Sequence, residues 1–166
     1  MRLRPVPGGD TPTVRMVLAG GPAALDAFRT WLEPAGPRLE ALLLDDPGTI
    51  AARLAGRPVL TPTVLVVTAE HAVAGLVARP APDHLVVLGA GGPVPASCDT
   101  GHTRITVVAG SDVDRSGAAL AAWCDVAPQV TVRILDVPDA ELVRPRSPAA
   151  ALLLALFRVN ESYPPL

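Results

Sequence analysis

Lysine is absent from this sequence: all fourteen basic residues are arginine. Alongside 19 prolines and 14 glycines, that pattern reads as the coding bias of a GC-rich bacterial genome and says little about function. Aromatic residues are scarce at 3%, although 49% of the chain is hydrophobic, so the core must be built from Val, Leu, Ile and Ala. That excludes an aromatic-rich sandwich and suits sheets covered by small-residue helices. The two cysteines, Cys98 and Cys124, are spaced neither as a metal-ligand pair nor as a disulfide framework. No charge of either sign dominates. A net charge of −2 argues against a surface built for phosphate contacts, so nucleic acid is not an expected partner. Long apolar runs are missing too: the longest, residues 148–157, is half the roughly 20 residues that a membrane span requires. Residues 1–10 are basic and Pro/Gly-rich without the apolar stretch of a secretory signal. These absences make a cytoplasmic protein with no membrane partner the expectation.

What is present is a rhythm. The 166 residues suit one ordinary domain. Residues 1–13 carry three prolines, two glycines and no periodicity, and read as a flexible leader. From residue 14 to 166, apolar runs alternate with helical patterns. Strands are expected at 15–19, 39–44, 63–67, 84–88, 105–109 and 130–135. Between them, Gly20-Gly21 followed by Pro22 opens a helix with Leu25, Phe28, Trp31 and Leu32 on one face. Asp46 with Pro47 opens a short helix that Gly56 stops. Residues 70–79 read as a helix with Val73, Leu76 and Val77 turned inward. Ser111 and Asp114 resemble a capping box ahead of a helix with Leu120, Trp123 and Ala127. Ser147-Pro148 opens a last helix bearing Leu152, Leu153, Leu156 and Phe157. Only residues 89–101, with four glycines and no helical face, break the alternation. The fold class is therefore α/β: a doubly wound, mostly parallel sheet of about six strands, a Rossmann-like or flavodoxin-like three-layer sandwich.

Two stretches resemble each other at an offset of about 90 residues, which points to an internal βαβ repeat over 15–47 and 104–138. The first runs Val17-Leu-Ala-Gly-Gly21, Trp31, Pro37, Leu44-Asp45-Asp46-Pro47; the second runs Val107-Val-Ala-Gly-Ser111, Trp123, Pro128, Leu135-Asp136-Val137-Pro138. Packing alone imposes similar patterning on any two βαβ units. Ligands of open parallel sheets bind beyond the carboxyl ends of the strands. That rule selects Gly20-Gly21, Asp45-Asp46, Thr68 to Glu70, Gly89 to Gly92 and Gly110 to Asp114. Two of these turns precede helices, whose free N–H groups favour an anion.

The run Asp83-His-Leu-Val-Val-Leu-Gly-Ala-Gly-Gly92 resembles the penultimate strand and glycine loop of the universal stress protein family. In that family two glycines three apart, then a later glycine and a hydroxyl residue, cradle ATP phosphates. Gly89 and Gly92 match the first pair, and Gly101 comes one residue early. His102 stands in the hydroxyl position with Thr103 after it, and a strand follows where the family has a helix. Residues 105–120 are similar to the family's opening strand and helix, with Asp112 near its adenine-side acidic position. The resemblance implies an ATP or AMP site with Gly89, Gly92, Gly101 and Thr103 near the phosphates and Asp112 at the opposite end.

Three sharper motifs fail on context. Cys98 to Arg104 matches the CxxGxxR loop of protein tyrosine phosphatases, but that chemistry needs a helix after the loop and here a strand is expected. Asp112-Val-Asp114 resembles the nucleophile motif of haloacid-dehalogenase-type phosphotransferases, which also need a downstream lysine. His71, His84 and His102 are not at metal-ligand spacings, so no metal site is assigned. The combined expectation is a non-catalytic α/β domain that binds an adenine nucleotide in a regulatory or stress-related role and acts as a homodimer. The alternative is a ligand-free protein–protein interaction or assembly module of the same fold. An uncovered Leu152 to Phe157 stripe would favour the alternative.

Overall fold

The computed structural model describes residues 14–35, 39–55, 62–92, 94, 103–113, 117–126 and 130–161. The expected leader, the segment from Cys98 to His102, residues Asp114 to Ser116 and the C-terminal 162–166 lie outside them. Six strands form one parallel sheet: β1 (Val14–Ala19), β2 (Leu39–Leu44), β3 (Thr63–Thr68), β4 (His84–Leu88), β5 (Arg104–Gly110) and β6 (Thr131–Leu135). Their order across the sheet is β2-β1-β3-β4-β5-β6. The central strands are apolar on both faces, as burial under two helical layers demands: β3 is buried at every position.

Right-handed crossovers assign the helices to their layers. The chain steps from β1 to β2 in one direction and from β2 onward in the other. The helix between β1 and β2, α1 (Pro22–Leu32), therefore packs on one face, while α2 (Ile50–Ala55), α3 (Ala72–Val77) and α4 (Ala118–Val126) pack on the other. Alone, α1 would leave its face mostly bare. The last helix, α5 (Ala149–Glu161), returns to lie beside it and brings fully buried Leu153 onto Met16, Leu18, Val64 and Val66. Trp31 locks this layer by donating from its indole N–H to the Arg144 carbonyl at 2.7 Å. Ser147 opens α5 as its position suggests, its hydroxyl accepting from the Ala149 N–H at 3.1 Å.

Two expectations change. Residues 69–71 form a 3-10 turn and α3 is shorter and rotated, burying Ala72, Gly75 and Leu76. Val73 and Val77, read as inward, are 36% and 56% exposed. Gly75 explains the rotation: a Cβ there would lie 2.8 Å from Leu85 Cδ1, so the helix rests its glycine on β4. The Leu152 to Leu156 stripe is not left uncovered either, since Leu153 is buried and Leu152 and Leu156 pack against the α1 layer. The side chain of Phe157 lies outside the described residues.

The two resembling βαβ stretches do not share a face. Val17 points away from α1, whereas its counterpart Val107 points toward α4. The two tryptophans differ likewise: Trp31 Nε1 is bonded, and buried Trp123 Nε1 has no hydrogen-bond partner.

Candidate functional site

The change of crossover direction places the switch point between β1 and β3, at their carboxyl ends, where the fold's ligands sit. Here the turns close on one another. A Cβ at Gly20 would lie 2.8 Å from Ala24 Cβ and 3.3 Å from Thr68 Cγ2. One strand further, a Cβ at Gly92 would overlap the Ala69 carbonyl. Close packing requires glycine at both places: Gly20 meets the first turn of α1, and Gly92 meets the backbone of the turn after β3.

The turn after β3 carries Thr68, Glu70 and His71. Thr68 Oγ1 donates to Glu70 Oε1 at 3.2 Å, and His71 Nε2 stands 3.5 Å from the same oxygen. Hydroxyl and imidazole thus both face the carboxylate. An activated nucleophile needs the opposite order, with the imidazole between hydroxyl and acid.

At the ends of β4, β5 and β6 the loops converge on Asp139, a half-buried residue in the 3-10 turn Asp139–Glu141 after β6. Its Oδ1 accepts from the Gly110 N–H at 3.0 Å and from the Ala90 N–H at 3.4 Å. Its Oδ2 sits beside Gly89, where a Cβ would be 3.3 Å away; Gly89 has φ +108°. Its own N–H donates to Asp112 Oδ1 at 2.7 Å, and the Ser111 N–H donates to the Val137 carbonyl at 2.9 Å. Gly110 completes the closure, since a Cβ there would lie 2.5 Å from Asp139 Cα.

The predicted site residues are therefore divided. Gly89, Gly92 and Asp112 share the carboxyl edge. Thr103 stands before the first residue of β5, at the amino edge, where its hydroxyl donates to the Pro82 carbonyl at 2.8 Å. The whole length of β5 separates it from Asp112, so the structure does not bring these residues into one phosphate site; Gly101 lies outside the described residues. Asp139 was missed, although a Pro-Asp pair past the last strand is a turn signal of the kind that positions a side chain.

At the amino edge the connection before β4 stitches three strands. Asp83 Oδ2 accepts from the Thr63 N–H at 2.8 Å, and the Asp83 carbonyl accepts from the Arg104 N–H at 3.1 Å. A void of about 10 Å³ lies beside it, lined by Gly75, Leu76, Arg79, Leu85, Thr103 and Ile105 among others. That is the lower limit for one water molecule. Nearby, His84 Nε2 pairs with Thr106 Oγ1 at 2.8 Å, and burial, with the Arg104 charge adding, lowers the His84 pKa from 6.5. Among the described residues no three His, Cys, Asp or Glu side chains gather as metal ligands would.

Fold and edge together define an α/β three-layer protein with an all-parallel sheet. No protein-family model and no curated protein matches the chain. Among solved structures, it is similar to the RedJ thioesterase of the prodiginine biosynthetic pathway in Streptomyces coelicolor. That likeness has a TM-score of 0.55 at 14% identity and covers 96% of each chain, so it concerns the fold.

Proposed function

We propose that this chain is a non-catalytic α/β domain that acts by binding a protein partner or a second copy of itself, the crevice at the carboxyl ends of β4 and β5 being filled by its own Asp139. The observation that carries this reading is the Asp139 carboxylate seated on the Gly110 and Ala90 amides, which fills the glycine turns after β4 and β5 on the carboxyl edge of the sheet. The sequence also lacks the serine turn that acyl transfer uses in such folds. An α/β hydrolase sets a serine in a G-x-S-x-G turn after a strand, followed in chain order by an acid and a histidine. This sequence contains no G-x-S-x-G and no histidine beyond His102. The turn after β3 holds Thr68-Ala-Glu-His71, and the turn after β6 holds Asp139.

An adenine nucleotide would have to place its phosphates where that carboxylate sits, with Gly89 and Gly92 already spent on loop packing. The proposed contact surface includes Val73 and Val77, exposed and one turn apart on α3. A bacterial, cytoplasmic setting and a homo-oligomer belong to the same proposal. No helix among the described residues is long and apolar enough to cross a membrane.

The test combines three assays on the purified protein: hydrolysis of short acyl esters and thioesters, thermal unfolding with ATP or AMP, and size-exclusion chromatography. The expected result is no saturable turnover, no nucleotide shift, and an oligomer or partner complex that V73D/V77D dissolves while the folded secondary structure by circular dichroism is kept. A nucleotide at about 100 times its dissociation constant would add roughly 2.7 kcal/mol. A shift of that size, or saturable hydrolysis, would overturn the reading.

A further inference from the structure

The Asp139 contact is a recognition geometry in its own right. The ends of two neighbouring strands aim N–H groups, from Gly110 and Ala90, at a single oxygen. The second oxygen fits beside Gly89, whose positive φ and missing Cβ leave it room. Two backbone donors on one carboxylate make charge-assisted hydrogen bonds, the arrangement by which proteins hold carboxylate ligands.

From this geometry we propose a carboxylate-binding cradle, formed by the turns after β4 and β5, that the chain fills with its own Asp139 and that accepts a small monocarboxylate once this side chain is removed. The cradle survives the loss of its occupant because the backbone of residue 139 is held independently. Its N–H is fixed by Asp112, its carbonyl accepts from the Leu142 N–H at 3.3 Å, and Leu142 is fully buried. On its Cβ side Gly110 meets backbone atoms of Asp139 and Pro138, a contact that does not depend on the Asp139 side chain. Replacing Asp139 by alanine therefore vacates a space of carboxylate size with its donors still in place, and formate or acetate matches it in charge and shape.

The experiment is rescue by the missing group. D139A, D139N and the wild type are unfolded thermally in rising sodium formate or acetate, against sodium chloride at equal ionic strength. The cradle predicts that D139A melts several degrees below the wild type and recovers part of that loss saturably with formate or acetate, but not with chloride. Wild type and D139N, whose cradles are filled, show no such response. Should D139A be unfolded in plain buffer while D139N folds, the readout becomes the folded fraction by circular dichroism, and formate restores it. Formate and acetate acting no better than chloride on D139A, in either readout, overturns the proposal. The inference rests on the crevice being self-occupied, yet it fails separately from the proposed function. Ester hydrolysis by the wild type would remove the non-catalytic reading and leave the cradle, whereas a formate-insensitive D139A removes the cradle alone.

Discussion

Replacing Gly110 with alanine tests the closure of the carboxyl edge more directly than any surface change. The new Cβ would lie 2.5 Å from Asp139 Cα and 2.6 Å from the Pro138 carbonyl carbon. Both are backbone atoms, so no side chain can rotate out of the way. The segment after β6 would have to retreat by roughly 1 Å to restore ordinary contact in a close-packed interior. That retreat pulls on the Gly110–Asp139, Ser111–Val137 and Asp139–Asp112 hydrogen bonds together. Overpacking of this kind costs about 1–3 kcal/mol, and a lost hydrogen bond to a charged group about 1.5–3 kcal/mol. A loss of about 3–5 kcal/mol is therefore expected, which in a domain of this size lowers the melting temperature by roughly 10 °C. Gly91 supplies the control, since nothing lies within 4 Å of a Cβ built there. G91A should match the wild type or gain about 0.4–1 kcal/mol from a stiffer unfolded chain. Urea unfolding of the three proteins reads the difference. If G110A stays within about 1 kcal/mol of the wild type, the segment after β6 does not sit on β5 as described.

Two further perturbations probe the sheet itself. Arg15 is 6% exposed, its Nε and Nη1 lack hydrogen bonds, and Glu40 Oε1 is 3.8 Å from Nε. R15M removes a poorly compensated buried charge and should raise the urea midpoint, by about 1–2 kcal/mol in stability; a loss would show that the Arg15–Glu40 pair is worth more than its geometry implies. His84 is held neutral by burial and by Arg104, so its pKa in the folded state lies below 6.5. The unfolded chain then binds the extra proton first, and the contribution of neutral His84 is present above pH 6.5 and lost as pH falls below it. The stability difference between wild type and H84Q should shrink from about pH 7.5 to about pH 5.5. A difference that stays constant would remove His84 from the acid response.

Most of the fold was legible because the strands are short runs rich in Val, Leu, Ile and Thr, set between segments containing Gly, Pro or Asp. Strand starts and ends lie within a residue of those expected. The strand order was not legible, since periodicity carries no record of which neighbour a strand takes. The face of α3 was misread because Val73 and Val77 satisfy a helical stripe, while Gly75, invisible to hydrophobic patterning, is the residue that docks. At the carboxyl edge Gly89 and Gly92 stood out as a turn, but the reasons for them lie elsewhere in the chain: Gly92 meets the Ala69 carbonyl, and Gly89 sits between Ala69 and Asp139, whose carboxylate reaches Ala90 from 49 positions away. A carboxylate that reaches across such a distance leaves no local spacing. Thr103 was grouped with the glycines through the loop they share, yet that loop crosses from one end of the sheet to the other before β5 begins.

The strand order also sets a sequence of assembly. After β3 each new strand adds beside the one just made, so a chain emerging from the ribosome can extend its sheet at a single growing edge. The layer formed by α1 cannot finish in that way. It waits for α5, and the Trp31–Arg144 bond that fastens the two ends spans 113 positions. A nascent chain halted before residue 149 would hold all six strands while Met16, Leu18, Val64 and Val66 still lacked their cover. Until the final helix lands, this protein carries an apolar surface of the kind that chaperones bind.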